Sequence, residues 1–195
     1  MRFVGHVIGS GERKADPVKV TTVQEMTIPE NKKQVRRLIR FFSYFRDYIP
    51  NFSQIAQPLT DLTGKRIPSQ IPWGKKENDA FEELKSKLCH ATMDGIKIAD
   101  FNKPYIIEVD SSQETIGAAL MQNVEGQGDK PIAFASQKLT LTQRAWSTIE
   151  KEAYAAIWAL EKFRKWTFSQ PIKLFSDHNP LTYITESATK SAKLM

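Results

Sequence analysis

Cys89 is the only cysteine in a chain of 195 residues, so no disulfide can close within it and no cysteine-based zinc site is available. No stretch approaches the ~18 consecutive apolar residues of a membrane span. The apolar run inside MRFVGHVIGSGERK is too short, and too closely flanked by polar residues, for a secretory leader. The chain therefore reads as soluble and intracellular, with no membrane partner. No two aspartates are adjacent anywhere, and no segment is repetitive or compositionally biased. What remains is ordinary globular composition: 41% hydrophobic and 26% charged residues, enough for one or two folded domains with a real core.

The charge is unevenly spread. Residues 1–66 carry 12 Lys/Arg against 6 Asp/Glu, whereas residues 67–104 balance at 6 against 6 and residues 105–195 at 10 against 10. The whole net charge of +6 thus sits in the first third. A concentrated positive field attracts polyanions, nucleic acid first among them, although a solvated basic helix face explains the same charges.

Hydrophobic spacing divides the chain into two kinds of region. Arg2 to Ile8 alternates like a short strand and ends at a Gly-Ser-Gly turn, and Asp16-Pro17 breaks the chain before VKVTTV. Ile28-Pro29 marks the start of a helix, in which Val35, Leu38, Ile39, Phe42, Phe45 and Ile49 form one apolar face and Pro50 the end. Lys32, Lys33, Arg36, Arg37 and Arg40 crowd its other side, with Arg46 beyond them. SQIAQPLTDLTG predicts a second short helix, and NDAFEELKSKLC a third with Phe81, Leu84 and Leu88 buried. The period then changes. Tyr105 to Val109 reads as a strand ending at Asp110, Ile116 to Gln122 as its hairpin partner, 123–130 as a loop, and Pro131 to Ser136 as a third strand. Residues 142–166 predict one long helix with Ile149, Ala153, Ala156, Ile157 and Leu160 inward. Ile172 to Ser176 reads as a fourth strand, and Asn179-Pro180 as the start of a last helix. This order predicts an α+β protein whose second half is a mixed sheet with a helix packed on it.

Three acids occupy informative places: Asp110 and Asp177 at strand ends, and Glu152 inside the long helix. Metal-dependent phosphodiester cleavage needs several carboxylates, because two cations must be held ~3.5–4 Å apart around the scissile phosphate. Two strand ends with a helix over them can gather such acids from distant positions. Any one acid taken alone reads more simply as a strand cap or a solvated side chain.

Sequence motifs around these acids narrow the choice. YIIEVDSSQETIGAALMQ, PIAFASQKLT, WSTIEKEAYAAIWALEKFRKW and KLFSDHNPLTYI, in that order, resemble the RNase H domain of gypsy-type LTR retrotransposons. FVGHVIGSG, DPVKV, VRRLIRFFSYFRDYIPNFSQIAQPLTDLTGK and WGKKENDAFEELKSKL resemble the palm end, thumb and connection of the same polyprotein. The resemblance implies a palm end over 1–21, a helical thumb/connection region over 22–97 and an RNase H-like domain over 98–195, its mixed sheet incomplete at the C-terminus.

It also implies roles. Asp110, Glu152 and Asp177 match three acids of the family, which serve there as catalytic metal ligands. Glu152 is preferred to Glu150 because the family's acid directly precedes the small apolar run, here AYAAIWAL. The implied cofactor is a pair of Mg²⁺ or Mn²⁺ ions, the implied substrate an RNA/DNA hybrid cut in its RNA strand, and the implied partner the remainder of the polyprotein. Lys32, Lys33, Arg36, Arg37, Arg40 and Arg46 become candidates for tracking phosphates, whereas Tyr44 and Tyr48 read as packing residues. Four departures qualify the match. Ser111 stands where the family usually has alanine, and Arg40 and Ser43 where its thumb helix usually has glycines. The polymerase signature with paired aspartates is missing, and so is the family's fourth, downstream aspartate, which makes the metal site incomplete by expectation. A non-catalytic nucleic-acid-binding remnant, or a fragment adopted by the host, is the alternative reading.

Overall fold

The computed structural model describes residues 1–168 and 170–176, which fall into two compact units, one over Met1–Ile98 and one from Ala99 onward. In the first unit the strands β1 (Arg2–Phe3), β2 (His6–Gly9) and β3 (Glu12–Ala15) form an antiparallel meander. The helices α1 (Pro17–Gln24), α2 (Lys32–Tyr44), α3 (Phe52–Ile55), α4 (Gln57–Asp61) and α5 (Lys75–Met93) follow, and β4 (Ile96–Lys97) returns to pair with β3. In the second, β5 (Tyr105–Ser111), β6 (Thr115–Val124) and β7 (Gly128–Lys138) precede α6 (Leu141–Arg144), α7 (Thr148–Thr167) and β8 (Ile172–Ser176). Among the described residues no helix is long and apolar enough to cross a membrane.

Several boundaries differ from those expected, each for a local reason. Arg2 to Ile8 is two strands, because Val4 and Gly5 turn the chain at φ 44° and 75°. Positive φ at both positions is what a two-residue hairpin turn requires. The Tyr44 hydroxyl donates to the Val4 carbonyl and pins the turn. VKVTTV is helical despite its β-branched residues. Asp16 caps it by accepting from Val18 N at 3.0 Å, Pro17 suits its first turn, and Val20 and Val23 face inward.

The basic helix α2 begins at Lys32 rather than at Ile28-Pro29, since Asn31 is its cap and accepts from Gln34 N at 3.0 Å. It ends at Tyr44. A tight 3₁₀ turn over Arg46–Tyr48 then carries Phe45, Tyr48 and Ile49 into the core. The expected second helix is split into α3 and α4 around Ala56, with Pro58 in the first turn of α4.

In the second unit the strand order is β7-β6-β5-β8, antiparallel except for the parallel pair β5 and β8. This is the mixed α+β architecture expected. The parallel pair needs a crossover, and α7 supplies it by packing on β5. The loop expected over 123–130 shrinks to a turn at Glu125–Gln127, because Gly126 and Gly128 at φ 73° and 76° let the hairpin run on. The long helix breaks at Ala145-Trp146, where Ser147 opens a new capping box with Glu150.

The inward face of α7 also differs. Ile149, Ile157 and Leu160 are exposed, while Glu152, Ala153, Ala155, Ala156, Ala159 and Phe163 are buried. The expected stripe holds at Ala153 and Ala156 but not at its bulky members, because this helix lies on its sheet largely through alanines. They close the core around Tyr105, Ile107, Val109, Ile116 and Leu120. The expected helix at Asn179-Pro180 lies outside the described residues.

Candidate active site and basic face

In the second unit, β5 is buried at Tyr105, Ile107 and Val109 on the side facing α7, and exposed at Glu108 and Asp110 on the other. Successive strand residues point to opposite faces. Asp110 therefore leaves the backbone from the pleat opposite Val109, and Ser111 from the same pleat as Val109. Ser111 Oγ donates to Glu152 Oε1 at 2.5 Å. Ser176 Oγ, at the end of β8, donates to Glu152 Oε2 at 3.2 Å. Val109 and Ser176 are partners in the parallel register, so the two serines approach the carboxylate from neighbouring strands.

Glu152 is only 3% exposed. Glu150 has a different task, since its Oε2 accepts from Ser147 N at 2.9 Å and completes the helix cap. The two glutamates weighed in the sequence thus separate physically, one capping the helix and one set over the strand ends.

The turn after β5 is closely tied. Ser112 Oγ accepts from Thr115 N at 3.0 Å, Leu139 N donates to Glu114 O at 2.7 Å, and Arg144 pairs with Glu114 at 2.8 Å. These contacts hold the end of β5, and Ser111 with it, in place.

The three acids singled out in the sequence are therefore placed as follows. Glu152 is buried against both strand ends. Asp110 is exposed on the other pleat of β5, and the contact to Glu152 is made by its chain neighbour Ser111. Asp177 lies outside the described residues, one position after Ser176. Among the described residues no three His, Cys, Asp or Glu side chains gather closely enough to hold a metal ion. Ser111 and Ser176 were not singled out as site residues. The only sign of Ser111 was its standing in place of the usual alanine, and Ser176 had none beyond its place at a strand end.

In the first unit, Val35, Leu38 and Phe42 bury one face of α2 and leave Lys33, Arg36, Arg37 and Arg40 exposed on the other. Two of the basic groups reach protein carbonyls: Lys32 Nζ donates to Gly64 O at 2.9 Å and Arg36 to Thr63 O at 3.3 Å. They neutralise carbonyls in the turn that follows α4, as cations near helix C-termini do. Arg46 lies over the Phe52 ring, 5.6 Å from its centroid.

Tyr48 is buried, with its hydroxyl 2.8 Å from His6 Nδ1, whereas Tyr44 is half exposed and stacks on His6 at 5.3 Å between ring centroids. Burial pushes the Tyr48 phenol up to about 12, with Asp47 and Tyr44 adding to the shift and Arg13 opposing it. Burial, and then Arg13, hold the His6 imidazolium below its usual range. A phenol donating to an unprotonated Nδ1 suits both shifts.

Residues 100–195 match the RNase H-like domain found in reverse transcriptase. Over its whole length the chain is 34% identical to the retrovirus-related Pol polyprotein from transposon opus of Drosophila melanogaster, and 33% identical to that from transposon gypsy of the same fly. The whole chain is thus similar to gypsy-type retroelement Pol polyproteins, and its second half carries their RNase H-like domain. The chain spans about a fifth of the length of these relatives. Among solved structures, a foamy viral protease-reverse transcriptase in complex with RNA/DNA hybrid superposes with a TM-score of 0.79 at 26% identity, over 98% of this chain and 26% of that one. The dRH form of the foamy viral enzyme, in complex with double-stranded DNA, gives 0.82 at 26% identity, over 95% of this chain and 32% of that one.

Proposed function

We propose that this Pol segment carries the thumb/connection region and RNase H-like domain of a retroelement reverse transcriptase, and that it cleaves the RNA strand of RNA/DNA hybrids. We divide it into a palm end over 1–21, thumb and connection over 22–97, and RNase H from 98. The observation that carries the reading is Glu152, a buried acid over the ends of two parallel strands, whose serine contacts adjoin Asp110 and Asp177 in the chain.

The donor set suits hard divalent cations, since carboxylates and hydroxyls are oxygen ligands of the kind Mg²⁺ and Mn²⁺ prefer. Asp110, Glu152 and Asp177 would hold them. Bound there, such cations would supply charge neutralisation at the scissile phosphodiester and activation of water. The chain's own contribution is to fix Glu152 in a site screened by the helix and to draw the hybrid in by charge. Lys33, Arg37 and Arg40 on α2 would track phosphates, joined more weakly by Lys32, Arg36 and Arg46, whose head groups already have partners in the protein.

A second reading, binding without cleavage, draws on Asp110 leaving β5 from the pleat opposite Glu152's serine partners. One assay separates the two. The 195-residue chain is incubated with a labelled hybrid in Mg²⁺ or Mn²⁺ beside Asp110→Asn, and binding is followed in parallel. With three of the family's four acids in the chain, the proposal expects weak metal-dependent cleavage by the parent chain, stronger in Mn²⁺ than in Mg²⁺, and its loss in D110N, with binding retained. Tight binding without cleavage in either metal would establish the second reading. Equal cleavage by D110N would remove Asp110 from the mechanism.

A further inference from the structure

We infer that Ser111 and Ser176 form a two-point clamp that presets the Glu152 carboxylate for a divalent cation; the inference rests on the reading of Glu152 as a metal ligand. A glutamate side chain rotates about three bonds, and an unguided carboxylate would have to be ordered again each time a cation binds. Here each oxygen is held separately. Oε1 accepts from a hydroxyl on β5 at 2.5 Å and Oε2 from a hydroxyl on β8 at 3.2 Å. The shorter distance is typical of a hydroxyl donating to an ionised carboxylate.

A carboxylate has about four lone-pair sites, so one hydrogen bond per oxygen leaves acceptor capacity on both. The clamp therefore fixes orientation without using up the ligand. Its two jaws stand on adjacent parallel strands in fixed register, which keeps their separation set by the sheet rather than by a loop.

The experiment is Mn²⁺ binding to the 195-residue chain, measured by spin resonance of the free ion, with folding checked by circular dichroism. Partners that orient a metal ligand typically contribute 10–100-fold to affinity. The clamp predicts that Ser176→Ala and Ser111→Ala each weaken Mn²⁺ binding by about that factor. Ser176→Thr keeps the hydroxyl on a strand that tolerates β-branching, and should stay within about threefold of the parent. Glu152→Gln should abolish the binding. If Glu152→Gln loses Mn²⁺ while both alanine variants match the parent, the clamp is wrong and Glu152 remains a ligand. If Glu152→Gln binds as the parent does, or the parent binds no Mn²⁺, the ligand reading fails and the clamp with it. Should an alanine variant not fold, Ser111→Thr beside Ser176→Thr decides the matter, because loss of binding in both would contradict a role for the hydroxyls.

Discussion

In the first unit, α2 and the turn after it bury Phe42, Phe45 and Tyr48; in the second, α7 buries Ala153, Ala155, Ala156 and Ala159, with Tyr154 and Trp158 only partly buried and Phe163 its first fully buried ring. The difference decides what each helix can offer. Bulky rings hold a helix away from its neighbours and fill the gap, so the chemistry of α2 is all on its outer face, where the arginines are. An alanine face lets a helix settle close to a sheet. A glutamate on that face can then reach strand hydroxyls that a longer spacing would leave out of range. The basic surface and the buried acid are consequences of two packing styles.

The comparison is broken most forcefully by altering the packing itself. Phe42→Ala should destabilise the first unit by about 3–5 kcal/mol, the transfer and cavity cost of a buried ring. Ala155→Leu should destabilise the second by about 1–3 kcal/mol, because a close-packed interface has no room for the added carbons. The control Ile157→Ala, on the exposed side of the same helix, should stay within about 0.5 kcal/mol. Urea denaturation followed by hydrogen exchange at α2 and β6 reads each unit separately. An Ala155→Leu variant as stable as the parent would show that α7 does not lie as close as its alanines imply.

These same faces explain how much was legible beforehand. The α2 stripe of Val35, Leu38 and Phe42 could be read from spacing because its apolar residues are large. The α7 stripe was read correctly at Ala153 and Ala156 and misread at Ile149, Ile157 and Leu160, whose size suggested burial that the helix does not give them. Strand positions in the second unit were legible from β-branched runs, whereas strand ends at 124 and 128 depended on two positive-φ glycines whose turn geometry a sequence leaves open. Glu152 was singled out through its motif. Its serine partners were not, since a hydroxyl one residue from a strand end carries no signal until the register of β5 with β8 is known.

A smaller effect separates the arginines within the basic face. Nucleic-acid affinity falls with salt by about 0.9 log units per log unit for each phosphate contact on duplex DNA. Arg37→Ala with Arg40→Ala should reduce that slope by up to about 1.8. Lys32→Ala with Arg36→Ala should reduce it less, because both head groups are held by the Gly64 and Thr63 carbonyls. That second pair should instead cost about 0.3–1 kcal/mol of stability per residue, as cations near a helix C-terminus do. Fluorescence anisotropy across a salt series tests both pairs. An unchanged slope in the first would make the positive face of α2 merely solvated.

The smallest effect expected is a change in how stability depends on pH. His6 stacks between Tyr44 and Tyr48, with Arg13 and Asp47 the charged groups around it. Burial and Arg13 lower its pKa below 6.5, and Asp47 opposes them. The unfolded chain therefore takes up the proton first as the solution is acidified. Stability rises with pH up to about the unfolded value of 6.5 and is lost as pH falls below it, through the folded pKa. His6→Gln keeps a polar side chain of similar reach but cannot titrate. Thermal melts between about pH 5 and 7.5 should show the parent losing stability more steeply than the variant on the acid side, because only the parent takes up this proton on unfolding. The carboxylates of the chain contribute equally to both proteins, so the difference between the two curves isolates the imidazole. Parallel curves would mean that the imidazole is as readily protonated in the folded unit as in the unfolded chain, and that the aromatic stack around it does not exclude charge.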